Sequence, residues 1–278
     1  MSYLFSIVLT LALCFSLQSL ALRSAGGRFT KSESNFFSSI GRIQAGARGG
    51  AEVMLLGSSI TGRLPDRAQG FSGVANMGCD GGSAIDALRA MDAGILPVAP
   101  VVVIEANTLQ LALDETPTEI SKAMRGKWFR AGMVVPAVAA YARPSAYFYS
   151  KLLVRRIGGI DTNGGGGDLG VHGQPQMVGS LPEEPLTPRQ EAVISEATAI
   201  IHRLKHNGAG FIITWLPPGR SDGQPPPPWI LELASRSAVP YWDLGQETRS
   251  GTVRLTDGIH MDAASAARTM RSIAAALK

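Results

Sequence analysis

The sequence predicts an α/β protein, a three-layer α/β/α sandwich around a parallel sheet of about five strands. Three observations predict it. Short apolar runs recur along the chain, at 52–56, 74–76, 100–104, 210–215 and 238–243. Segments with helical spacing (83–93, 190–206 and 261–277) alternate with them. The run Pro100-Val-Val-Val-Ile104 is continuous and β-branched, as in a parallel strand buried on both faces. Strands alternating with helices place helices on both sides of the sheet.

The elements follow in chain order. Residues 1–22 carry no charged side chain, and 3–22 are almost wholly apolar, close to the roughly 20 residues that span a bilayer. The stretch reads as a signal peptide cut near Ser19-Leu20-Ala21 or as an uncleaved membrane anchor. No Lys or Arg precedes it, and Arg23, Arg28 and Lys31 follow it. Leu13 stands where a lipoprotein site at Cys14 requires a small residue. Residues 23–50, rich in Gly, Ser and Arg, read as a connector with one short helix around 34–43. The main domain then spans 51–278. The strand at 210–215 is stopped by Pro217-Pro218. Two stretches interrupt the rhythm. Residues 109–188 exceed one crossover and read as an insertion, with a basic aromatic segment and a Gly-rich run at 158–173. Residues 219–228 end in four prolines and predict a stiff extended loop.

Composition narrows the function classes. The chain has 278 residues, 45% of them apolar, which supports a substantial core. Its net charge is only +4, without the dense basic stripe that nucleic-acid binding needs. One of two cysteines, Cys14, lies in the apolar leader, so Cys79 has no partner for an intradomain disulfide. Four scattered histidines and one usable cysteine argue against a dedicated zinc site. Neither a metal nor an organic cofactor is expected.

Two distant segments carry chemistry. The first strand runs into Gly57-Ser58-Ser59-Ile60-Thr61, which sets a hydroxyl at a strand-to-helix turn. Near the C-terminus, Asp257-Gly258-Ile259-His260 sets a carboxylate and an imidazole on one loop before the final helix. Hydroxyl, imidazole and carboxylate together are the parts of acyl transfer through a serine. Taken singly, each has a plainer reading. Ser58 and Ser59 suit helix capping, Asn107 suits a turn, and His260 suits a helix start. The turn Ser59-Ile60-Thr61-Gly62 also resembles the phosphate-binding turn of flavodoxin-like proteins, which leaves Asp257 and His260 without a role. Cys79 reads as a small packing residue. His172, His202 and His206 have no assigned role.

Four blocks in order resemble the SGNH (GDSL-type) hydrolase superfamily. They are Gly57-Ser58-Ser59-Ile60-Thr61, Asn76-Met77-Gly78, Glu105-Ala106-Asn107-Thr108 and Asp257-Gly258-Ile259-His260. The resemblance covers about residues 50–278. It implies Ser59 as nucleophile, His260 as general base and then acid, and Asp257 as the group that orients the imidazole. It implies an oxyanion hole from the backbone N–H groups of Ser59 and Gly78 and the side-chain amide of Asn107. The chain departs from the pattern at Ser58, where the superfamily has Asp, at Glu105 for Gly, and at Thr108 for Asp. A carboxylate at Glu105 would either raise the pKa of a nearby histidine or repel an oxyanion.

What the resemblance implies is an exported or membrane-tethered serine esterase acting on acylated carbohydrate, cell-surface polysaccharide or another small ester. Alternatives are an O-acyltransferase on an exopolysaccharide, or an inactive module that binds a glycan or a protein partner. The expected location is periplasmic or secreted, with residues 1–22 as a tether to the inner membrane. Polysaccharide synthesis or export machinery would be the partner there. Trp215, Trp229 and Trp242 lie near strand ends and suit either sugar stacking or the core.

Overall fold

A computed structural model of the chain describes residues 2–24, 34–109, 118–143, 174–179, 185–217, 226–245 and 253–277. Its centre is a five-stranded, all-parallel sheet in the order β2-β1-β3-β4-β5. The strands are β1 Val53–Leu56, β2 Val74–Asn76, β3 Val101–Glu105, β4 Gly210–Trp215 and β5 Tyr241–Asp243. Eight helices are described: α1 Ser2–Ser24, α2 Asn35–Gly46, α3 Ala84–Asp92, α4 Glu119–Met124, α5 Lys127–Val134, α6 Pro188–His206, α7 Pro228–Arg236 and α8 Ala263–Ala276. This is the expected three-layer α/β/α architecture.

Alternation along each strand divides the core in two. Met54 and Leu56, Val102 and Ile104, and Phe211 and Ile213 point to one face, where α2, α3, α4, α6 and α7 cover them. Leu55, Val103 and Ile212 point to the other face, where Met270 and Ile273 of α8 close over them. Both faces are therefore dry, which is why the strand sequences read as unbroken apolar runs. Each fully buried Leu, Ile or Val side chain stabilises by about 1.5–3 kcal/mol.

Local chemistry sets the helix ends. Thr187 and Gln190 form a reciprocal capping box ahead of α6, with Pro188 at its first position. Helix α8 starts later than the apolar pattern suggests. Met261 bridges back to Leu255, and the Asp262 side chain caps α8 by accepting from Ser265 N at 2.7 Å.

Two segments differ from the sequence reading. The short helix expected around 34–43 forms as α2, but it belongs to the domain instead of a connector, with Ile40 and Ile43 fully buried in the larger core. Within the 109–188 interruption, the stretch from α5 to Ala140 packs against that helix. Gln44, itself buried, donates to Phe129 O at 3.0 Å and accepts from Ala140 N at 2.8 Å. The stiff loop read at 219–228 lies outside the described residues as far as 225, and α7 begins at Pro228, proline being well tolerated in a first helical turn. The Gly-rich run 158–173 and His172 lie outside the described residues.

Helix α1 leaves Tyr3, Phe5, Leu11 and Leu17 among its exposed apolar side chains. Among the described residues no helix is long and apolar enough to cross a membrane.

Candidate active site at the C-terminal end of the sheet

Parallel strands end together, so the loops after β1, β2 and β3 converge at one end of the sheet. The first of them is the turn after β1. There Ser58 Oγ accepts from Ile60 N at 3.1 Å, and Ser58 O accepts from Gly62 N at 2.9 Å. Ser58 therefore caps the turn. Ser59 does not, and its hydroxyl faces the other half of the site.

That other half is a tight loop between Leu255 and Met261, pinned at its neck by Thr256 N donating to His260 O at 2.8 Å. Gly258 takes φ +81°, which glycine adopts without strain, so the Asp257 side chain can fold back over the loop. Asp257 Oδ1 accepts from Ile259 N (3.1 Å) and His260 N (2.8 Å). Its Oδ2 lies 2.7 Å from His260 Nδ1, and His260 Nε2 lies 2.8 Å from Ser59 Oγ.

The proton positions in this chain follow from Asp257. The hydrogen bond from the His260 ring, with the backbone N–H groups of His260 and Ile259, holds its carboxyl well below the usual carboxylate range. An ionised carboxylate only accepts, so Nδ1 carries the hydrogen. In the neutral ring Nε2 is then the acceptor for the Ser59 hydroxyl. Ser59, His260 and Asp257 thus stand in the order base catalysis requires, with a partly exposed nucleophile.

The three expected oxyanion donors are not equivalent. Ser59 N–H has no hydrogen-bond partner among the described residues. Asn107 Nδ2 donates to Leu216 O and its Oδ1 accepts from Leu216 N, both at 2.8 Å. This clamp fixes the amide and leaves one of its two N–H groups for a ligand. Gly78 N–H already donates to Asn76 Oδ1 at 2.8 Å, so an oxyanion would have to compete with that bond. Asn76 also donates to Thr61 O and Leu64 O, each at 2.7 Å, and so locks the loop after β2 onto the turn after β1. A side chain at Gly78 would collide with the Gly62 backbone.

Two features escape sequence reading. Glu105, 1% exposed at the end of β3, lies beneath the nucleophile turn, with Oε1 2.7 Å from Ser58 Oγ and Oε2 2.6 Å from Thr61 Oγ1. Its hydrogen bonds run to the turn. The sequence signal was Ser58 and Thr61, two hydroxyl residues three apart beside Gly57. The second feature is a buried ion pair. Arg42 of α2 faces Asp80 at 3.2 Å and donates to the Gly78 carbonyl. The supposed connector thereby braces the loop after β2.

The remaining candidates fall outside the site. Cys79 is fully buried, and burial, with Asp86 nearby, pushes its thiol up to about 12. Trp229 and Trp242 are core residues, and Trp215 packs against the core, so the first two cannot serve as sugar platforms. His202 is exposed and its Nε2 donates to Arg236 O at 3.0 Å. His206 is also exposed. Among the described residues no group of three His, Cys, Asp or Glu could hold a metal ion. Comparison with protein-family models, with curated proteins and with solved structures finds no match.

Proposed function

We propose that the chain is a serine ester hydrolase of the SGNH type, exported or tethered to a membrane by its N-terminal segment. The observation that carries this reading is the continuous chain from Ser59 Oγ through the His260 ring to Asp257. Ser59 Oγ attacks the ester carbonyl carbon as His260 Nε2 takes its proton. The oxygen of the tetrahedral intermediate is held by Ser59 N–H and the remaining Asn107 N–H. The C–O bond to the alcohol then breaks, His260 returns the proton to the leaving oxygen, and the acyl group stays on Ser59. Water repeats the sequence in reverse and releases the acid. Asp257 orients the ring and stabilises its protonated form.

An acylated carbohydrate or cell-surface polysaccharide is the substrate class that the superfamily resemblance favours. A sugar hydroxyl in place of water would make the same site an O-acyltransferase. The non-catalytic reading loses its main support, since Glu105 is occupied by the turn and the imidazole faces Ser59.

The test uses the full chain in mild detergent with p-nitrophenyl acetate and with an O-acetylated polysaccharide, beside Ser59→Ala. Release of nitrophenol and acetate that disappears in the variant supports the hydrolase. Acetyl groups recovered on added oligosaccharide instead of as acetate support the transferase. A folded protein that releases neither contradicts both.

A further inference from the structure

We propose that Glu105 is a positioning residue, a buried carboxylate that presets the nucleophile turn and leaves its one oxyanion donor open. The inference rests on the hydrolase reading and deepens it. Glu105 Oε2 accepts from Ser58 N (2.9 Å), Thr61 N (3.0 Å) and Thr61 Oγ1 (2.6 Å). Oε1 accepts from Ser58 Oγ at 2.7 Å, with Thr108 Oγ1 further off at 3.4 Å. The donors bracket Ser59 in sequence, one residue before it and two after.

The backbone N–H groups of the turn can be followed one by one. Ser58 and Thr61 donate to Glu105, Ile60 donates to Ser58 Oγ, and Gly62 donates to Ser58 O. Only Ser59 N–H is left without a partner among the described residues. Glu105 takes the two N–H groups that would otherwise be buried and unpaired, each costly to leave so. The turn can then expose the donor that an oxyanion needs without collapsing onto it.

Room for the carboxylate comes from Gly57, since a Cβ there would collide with Glu105 and with Thr61 Oγ1. Ser58 completes the arrangement. The superfamily pattern has a carboxylate at that position, whereas here the acceptor reaches the turn from the next strand. The contact to Thr108 also links the turn to the loop that carries Asn107. Glu105 touches no reacting atom and acts only through Ser59.

Glu105→Ala, Glu105→Gln and Thr61→Val are the variants, studied as full chains. Gln can accept all three Oε2 bonds through its oxygen and donate to Ser58 Oγ through its nitrogen, so it should rescue what Ala loses. In Glu105→Ala, kcat on p-nitrophenyl acetate should fall by about 10²-fold, as expected for a displaced nucleophile, with KM within about threefold. Glu105→Gln should stay within about tenfold of wild type. An independent readout is the ¹⁵N shift of His260 Nε2, with Ser59→Ala as the reference for a lost hydrogen bond. Glu105→Ala should move to the Ser59→Ala value, and Glu105→Gln should not.

A folded Glu105→Ala with wild-type kcat and a wild-type Nε2 shift overturns the proposal. So does a Glu105→Gln protein as impaired as Ala. If Glu105→Ala does not fold, Thr61→Val must show a smaller change in the same direction, and its absence is equally fatal. If wild type shows no turnover, the hydrolase reading fails. The Nε2 shifts then decide the positioning role without it.

Discussion

His260 Nε2 and Ser59 Oγ lie 2.8 Å apart although 201 positions separate them in the chain. Nothing local brings them together. The sheet does, because β1 lies at its interior, and because α8 closes the face that includes Leu55 of β1. The loop ahead of α8 thus reaches the end of β1. The relationship is what turns two unremarkable loops into a candidate catalytic pair.

Asp257 should matter through the tautomer it imposes. Asp257→Asn lets Nδ1 become the acceptor and turns Nε2 into a donor facing the hydroxyl. Its kcat/KM on the alkaline plateau should drop by roughly 10³–10⁴-fold. The folded Asp257 carboxyl is held below its ordinary value of about 4, so its stabilising contact is complete above that pH and is lost as pH falls. Thermal melts of wild type and Asp257→Asn should show a small gap at pH 6 that shrinks towards pH 2. The gap is small because the Asp257 side chain is half exposed.

Asn107→Ala removes an oxyanion donor together with the clamp on Leu216. Steady-state kinetics should show kcat lowered by about 10²–10³-fold. Asn107→Asp keeps the bond from Leu216 N but supplies a negative charge and no N–H, so it should be no better than Ala. An Asn107→Asp enzyme with wild-type kcat would remove this residue from the oxyanion hole.

The fold and the order of the site were largely legible in the chain, for physical reasons. Runs such as Val101-Val-Val-Ile104 can only be strands dry on both faces, and glycine-bearing turns after them mark where loops converge. Residues whose role depends on strand register were not legible. Glu105 looked like a defect in a motif, because only the pairing of Leu56 with Ile104 sets it beside the turn after β1. Arg42 lies in the stretch read as a connector, yet it is buried against Asp80. The state of Gly78 N–H was also hidden, since it depends on which way the Asn76 side chain turns.

Removing Arg42 takes the facing cation away from the buried Asp80 carboxylate. Arg42→Met should destabilise the protein by about 3–5 kcal/mol in denaturant unfolding, far more than an exposed arginine would. The buried setting is what decides the size. By contrast, Arg203→Met, which breaks the exposed pair with Asp92, should leave the unfolding midpoint almost unchanged.

Cys79 should be inert in the native protein. Its thiol is buried and pushed up to about 12, so at pH 8 almost none of it is thiolate. Cys14 is exposed. A thiol-exchange reagent should therefore titrate Cys14 alone in the folded chain and both cysteines after unfolding. Cys79→Ala should keep turnover, which a nucleophilic Cys79 would not allow.

The most direct measurement is labelling of the full chain by a fluorophosphonate, with the modified residue located by peptide mass spectrometry. A single adduct on Ser59 is expected, absent in Ser59→Ala and formed much more slowly in His260→Ala. A folded wild-type protein that takes no label, or takes it on another residue, would contradict a Ser59 nucleophile.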